Sequence, residues 1–287
     1  MSNRGRRGQG QRKRKNYNKD DEANNSVPED ASHIVKLFHS YQTELDAKYD
    51  KYERLIKKSR DLTIESKRII FLLHRVSSDE NKDEILREAE ERLNNLVIDV
   101  INGIALELTK REVFQYLRAF SPGLQEYVEA VSFYQYLKSG CLIHINEVHN
   151  PTFSPSLSKI DEDADEKENY IKAELPLSVI LTPTDFILGI ADLTGELMRK
   201  CINSVASGNI QEPFELCLVL QNIYEAFLVN SNHSKDLKRK LYTLKCSLQK
   251  VENACYAIKI RGTEIPKHML ADFFSNEEFK ESVDPDI

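Results

Sequence analysis

The chain has 287 residues, 40% apolar and 30% charged, which suits a helix-rich protein long enough to bury a sizeable core. With only 10 Gly and 9 Pro it lacks the turn residues that an all-β fold of this length needs. The net charge of −6 conceals an asymmetry: residues 1–19 carry eight Lys/Arg and no acid, so the rest of the chain stands at −14, an acidic body with a basic tail.

Residues 1–30 hold almost no large apolar side chain and are expected to be disordered. Within them Arg12, Lys13, Arg14 and Lys15 form a cluster of the nuclear-localisation type. The competing reading is a loose basic arm that touches nucleic acid non-specifically. From Ser32 to about Ser77, Val35, Phe38, Leu45, Tyr49, Tyr52, Leu55, Ile56, Leu62, Ile69, Leu72 and Leu73 recur at three- and four-residue steps. This predicts a helix long enough to suggest a bundle or an oligomer. A second helix is predicted from about Ser78 to Thr109, and a short one near Glu112–Phe120. Ser121-Pro122-Gly123 reads as a break, followed by a helix from Leu124 to about Ser139.

Residues 140–180 contain Pro151, Pro155 and the acidic run Asp161–Glu168 and are predicted to form a mobile loop. Thr182-Pro183 then opens a helix, with Thr182 as N-cap and Pro183 in its first turn, that Gly208-Asn209 closes. Helices at Glu212–Val229 and about Lys235–Ile260 complete the set. Beyond Pro266 the tail is amphipathic (Met269, Leu270, Phe273, Phe274) and then acidic from 276 to 287. The fold class expected is all-α, with about seven helices in one domain over 31–275. No run of about 18 apolar residues predicts a membrane span, and the basic N-terminus lacks the apolar core of a secretory signal. Cys141, Cys201, Cys217, Cys246 and Cys255 are odd in number and form no CxxC pair. Free, buried thiols in a reducing compartment are expected, and a Cys/His zinc site is not.

Two short helical phrases carry the chemistry. GLQEYVEAVSF holds Glu126 and Glu129 at i, i+3, and GIADLTGELM holds Asp192 and Glu196 at i, i+4. Each pair projects from one side of its helix. If the helices face each other, four carboxylates converge into the hard-oxygen environment that Mg²⁺ or Mn²⁺ prefers, and the chain becomes a candidate metal-dependent phosphodiesterase. On a helical wheel Leu124, Val128 and Val131 form one apolar side, and Glu126 and Glu129 share the other with Ala130, Phe133 and Leu137. Both sides therefore look buried, and buried carboxylates that repel each other need a compensating cation. Asp192 and Glu196 lie opposite the core face of Ile187, Ile190, Leu197, Cys201 and Val205, beside Gly189, Gly195, Arg199 and Asn203. Two glycines inside a helix suggest that a backbone or a substrate comes close. The plain alternative is solvated acidic faces, since 46 acids in 287 residues produce such spacings by chance.

His74 lies in the apolar phrase FLLHRV and reads as a satisfied core histidine rather than a base. Basic groups at Arg54, Lys57, Lys58 and Arg60, at Lys67 and Arg68, and at Lys235, Lys238, Arg239, Lys240 and Lys245 could hold phosphates or be solvated faces. No P-loop, GxGxxG, GxSxG or HExxH signature is present.

The phrases ELDAKYDKYERLIKKSRDLTIESKRIIFLLHR, GLQEYVEAVSF, ADLTGELMRKCINS and KVENACYAIKIRGTEIPKHMLAD, spanning most of residues 40–275, resemble the translin family. The resemblance implies a seven-helix translin-like bundle with long antiparallel helices, assembled with translin into a closed, octamer-type barrel. It implies a Mg²⁺-dependent endoribonuclease acting on single-stranded RNA, with roles in activating the RNA-induced silencing complex and in tRNA processing. The family's acids map onto Glu126, Glu129, Asp192 and Glu196, which would be both metal ligands and catalytic groups. A cytoplasmic and nuclear location fits the basic cluster. Residues 140–180 and both termini depart from the family pattern, so nothing is carried over there. A non-enzymatic scaffold that stabilises translin and carries it into the nucleus is the rival reading. A coiled-coil adaptor is a third, disfavoured because no clean heptad persists.

Overall fold

The computed structural model describes residues 32–76, 79–149, 180–230 and 234–261. The basic cluster Arg12–Lys15, the acidic run Asp161–Glu168 and the amphipathic tail around Met269–Phe274 lie outside them. The described residues are helical throughout their ordered elements, with no strand among them, so the all-α expectation holds. The helices are α1 (His33–Leu73), α2 (Asp79–Leu96), a π-helical turn (Val97–Ile101), α3 (Asn102–Glu107), α4 (Val113–Ser139), α5 (Ile145–His149), α6 (Pro183–Ser207), α7 (Glu212–Asn230) and α8 (Lys235–Arg261). Because α2, the π turn and α3 run on without a gap, the described residues hold seven helical rods. Among these residues no helix is long and apolar enough to cross a membrane.

The structure divides into two units at Asp50. In the first, the helical periodicity is present but its apolar residues are not buried: Val35, Phe38, Leu45 and Tyr49 are all exposed. In the second, α1 buries Leu55, Leu62, Ile69, Leu72 and Leu73. The core centres on α4, which supplies four of the largest fully buried side chains, Phe120, Tyr127, Phe133 and Tyr134. A helix buried on every side is apolar all round, which is what the wheel of Leu124–Ser139 anticipated.

The expected break at Ser121-Pro122-Gly123 does not occur, and Pro122 lies inside a continuous α4. A proline there removes one backbone donor and strains the turn before it. Ser59 of α1 accommodates the site: its hydroxyl donates to the Phe120 carbonyl at 3.4 Å and accepts from the Gly123 N–H at 3.2 Å. A Cβ at residue 123 would stand 2.7 Å from the Ser59 carbonyl oxygen, so the glycine that looked like a breaker is where α1 lies against α4. The π turn was also not foreseen. It spans the β-branched run Val97, Ile98, Val100 and Ile101 and is closed by the Asn102 N–H on the Val97 carbonyl.

The ends of α6 form as expected. Thr182 is the N-cap, accepting from the Asp185 N–H at 3.1 Å, and Pro183 sits in the first turn. Gly208, at φ 82°, closes the helix in the left-handed region, with its N–H and that of Asn209 on the last carbonyls. Asp185 is buried and fully engaged by Thr182, Ser121 and Gln125, which fastens the start of α6 to α4. Thr182→Ala should therefore lower stability by about 1–2 kcal/mol, read as a shift of the denaturation midpoint at unchanged slope. All five cysteines are free, but Cys141 is exposed because it lies just past the α4 terminus at Gly140, contrary to the expectation of burial. Ile187 is likewise 38% exposed rather than part of the α6 core face.

Candidate functional site

The helices α4 and α6 pack extensively against each other. Their approach is set by Gly189, where a Cβ would stand 2.7 Å from Cβ of Val128 and 2.8 Å from the Gln125 carbonyl oxygen. No side chain fits between the helices there. Glu126 and Glu129 flank Val128 on one helix, and Asp192 and Glu196 follow Gly189 by one and two turns on the other. The crossing thus brings the two sequence-predicted pairs together. Gly189 belongs to this buried contact and not to the polar face on which the wheel placed it, whereas Gly195 has nothing within 4 Å of a Cβ and faces open space.

Glu129 is the centre of the group. It is 8% exposed, makes no ion pair among the described residues, and has its carboxyl pushed up to about 8. Burial is the first cause, and the negative charges of Asp192, Glu126 and Glu196 add to it, against a smaller opposing effect of Lys240. The other three carboxylates thus all lie within electrostatic reach of Glu129.

The other three carboxylates have cationic or imidazole partners from two further helices. Lys67 on α1 pairs with Glu126 at 3.0 Å, and its hydrogen bond to Glu126 holds the ammonium above the ordinary lysine range. Lys240 on α8 pairs with Asp192. His74, just beyond α1, bonds Glu196 through Nε2, and that bond is the main cause holding the Glu196 carboxyl below its ordinary value. Arg199 approaches Glu196 at 3.7 Å. The His74 ring is nearly enclosed and lies against Phe133, with centroids 4.8 Å apart.

His74 is therefore satisfied, as its setting in the sequence implied, but its partner is a carboxylate of the cluster. The sequence carried no signal for that link, because residue 74 and residue 196 meet only through the fold. Lys67 and Lys240 came from basic stretches that equally fitted solvated faces. Some of their neighbours are such faces: Arg68 pairs with Glu65, and Arg239 with Asp236, each on its own helix.

Four carboxylates converging on one crossing are the donor set for a hard divalent cation. In the arrangement described, no three His, Cys, Asp or Glu side chains among the described residues close around a metal position. Lys67, Lys240 and His74 hold three of the four acids. Glu129, a buried acid that keeps its proton at neutral pH and makes no ion pair among the described residues, is the one member of the group that no protein cation holds and that could become a ligand by releasing that proton to a metal.

An all-α bundle with a polyacidic centre at its central helix crossing is the class these features define. The chain belongs to the translin family, whose model matches residues 50–262. It is 49% identical over 247 residues to translin-associated protein X of Mus musculus, covering 85% of each chain. It is 47% identical to the Rattus norvegicus protein of that name over the same share of both. Among solved structures it resembles a complex of AfC3PO with duplex RNA, at a TM-score of 0.53 and 19% identity over 79% of this chain and 99% of that one. At that identity the likeness speaks to the fold alone.

Proposed function

We propose that this protein is the nuclease subunit of an assembly with translin, a Mg²⁺-dependent (or Mn²⁺-dependent) endoribonuclease acting on single-stranded RNA. The observation that carries the reading is Glu129, a buried acid with no ion pair among the described residues, whose proton is held by burial and by the charges of Asp192, Glu126 and Glu196. These four residues would hold the ion. What such an ion supplies when bound is a polarised phosphoryl oxygen and a hydroxide nucleophile at neutral pH. The chain's own part is to fix the four carboxylates at a helix crossing that leaves no room to shift, with His74 orienting Glu196.

Translin as partner is supported by the name that the mammalian relatives carry. Removal of passenger-strand fragments from the RNA-induced silencing complex, tRNA processing, and a cytoplasmic and nuclear location rest on the family resemblance and on the basic residues 12–15. The rival, a scaffold that stabilises translin, is favoured by one observation: Lys67, Lys240 and His74 hold three of the four acids, as a purely structural network would. Cleavage of labelled single-stranded RNA by the reconstituted assembly in Mg²⁺ separates the two. Glu126→Ala and Asp192→Ala should each lower the rate by about a hundredfold or more, about 2.7 kcal/mol of barrier, with the assembly intact. Full activity in both variants would leave only the scaffold.

A further inference from the structure

Two lysines reach the carboxylates from two different helices, α1 and α8. Lys67 pairs with Glu126 through its ammonium, and its side chain is 62% exposed. Lys240 is more covered, at 26%, and caps Asp192 from α8. Their ion pairs lie on different carboxylate pairs, Glu126 from one and Asp192 from the other. Glu129, which neither lysine reaches as an ion pair, is 8% exposed.

We propose that Lys67 and Lys240 are exchangeable counter-ions: they neutralise Glu126 and Asp192 while the site lacks a divalent cation, and transfer to the phosphates of a single-stranded polynucleotide when the cation takes their place. The inference rests on the metal-site reading above. A double positive charge held by Glu126 and Asp192 repels an ammonium at ion-pair distance, so the two kinds of cation compete for the same oxygens. The displaced ammoniums remain tethered beside the site on flexible four-carbon stems. A compact ammonium with three donors is suited to a phosphate oxygen approaching from any side. Polyanion binding and cation binding would thus be linked through the same two side chains.

The competition gives two effects of opposite sign, which a structural role does not. In the full-length chain, Lys67→Met and Lys240→Met should each tighten Mn²⁺ binding about three- to tenfold, read by electron paramagnetic resonance of free Mn²⁺. In the assembly with translin the same variants should weaken binding of a nuclease-resistant 2′-O-methyl single-stranded 20-mer severalfold in the presence of Mn²⁺. Each should lower the dependence of log K on log salt by about one phosphate's worth. Lys67→Arg and Lys240→Arg, which keep the charge, should bind Mn²⁺ like the wild type, and the exposure of Lys67 keeps its methionine variant compatible with folding. Unchanged or weaker Mn²⁺ binding in both methionine variants, with wild-type binding intact, would overturn the exchange and leave the metal site standing. Absence of Mn²⁺ binding by the wild type would overturn both.

Discussion

Glu129→Gln should stabilise the metal-free protein at pH 8 and above, and the gain should disappear on acidification. The carboxyl ionises near 4.5 in the unfolded chain and near 8 in the folded one. Between those values the folded state holds a proton that the unfolded state has released. Stability therefore falls as pH rises through this window and is level beyond it. Below 4.5 both states are protonated and the difference between wild type and variant is only that of packing an amide for an acid. The interval corresponds to at most about 5 kcal/mol, and relaxation of the site brings the expected gain nearer 1–3 kcal/mol, a few degrees in Tm. Thermal melts in chelator from pH 4 to pH 9 read it directly. Adding Mg²⁺ or Mn²⁺ should reverse the order. A divalent ion at a hundred times its Kd adds about 2.7 kcal/mol to the protein that binds it, and the amide removes one charged ligand. A wild type whose melting is flat across pH 5–8 would show that Glu129 is not the isolated buried acid described.

The helical architecture was legible because its signals are local. The cap at Thr182, the stop at Gly208 and the ends of α7 and α8 depend on a few neighbouring residues, and they fell within two residues of expectation. Pro122 misled for the same reason. Locally it is a breaker, and no neighbouring residue announces Ser59, some sixty residues away, whose hydroxyl bonds the backbone on either side of it. The carboxylates were visible as two pairs, and the apolar face around Glu126 and Glu129 marked that pair as needing an explanation. Of the two only Glu129 is buried, while Glu126 reaches partly into the open and pairs with Lys67. What pairs with them was not visible. The partners Lys67, His74 and Lys240 come from α1 and its end and from α8, and no periodicity on α4 or α6 points to them. The two glycines of α6 looked alike in sequence and serve opposite surroundings, one pressed against a neighbouring backbone and one open.

That contrast gives the second large effect. Gly189→Ala adds one methyl group at 2.7 Å from Val128 Cβ and 2.8 Å from a backbone carbonyl. Val128 is β-branched and fully buried, so it has no alternative rotamer into which to retreat, and the carbonyl belongs to the α4 ladder. The helices must therefore part. Overpacking of this kind costs about 1–3 kcal/mol even after alanine's better helix propensity, worth about 1 kcal/mol, is counted. Gly195→Ala gains the same propensity with nothing within 4 Å and should be neutral or stabilising by up to about 1 kcal/mol. The difference between the two variants, by denaturant unfolding, should then be about 1–4 kcal/mol. The parting also acts on the site, because the Gly189–Val128 contact sets the distance between the two acid pairs. In Gly189→Ala, Glu129 should lose part of the repulsion from Asp192 and Glu196, and its ionisation should fall from about 8 toward 4.5. Carboxyl ¹³C shifts of Glu129 followed through a pH titration measure this independently of stability. An unmoved ionisation with lowered stability would separate the packing role of Gly189 from any role in assembling the carboxylates.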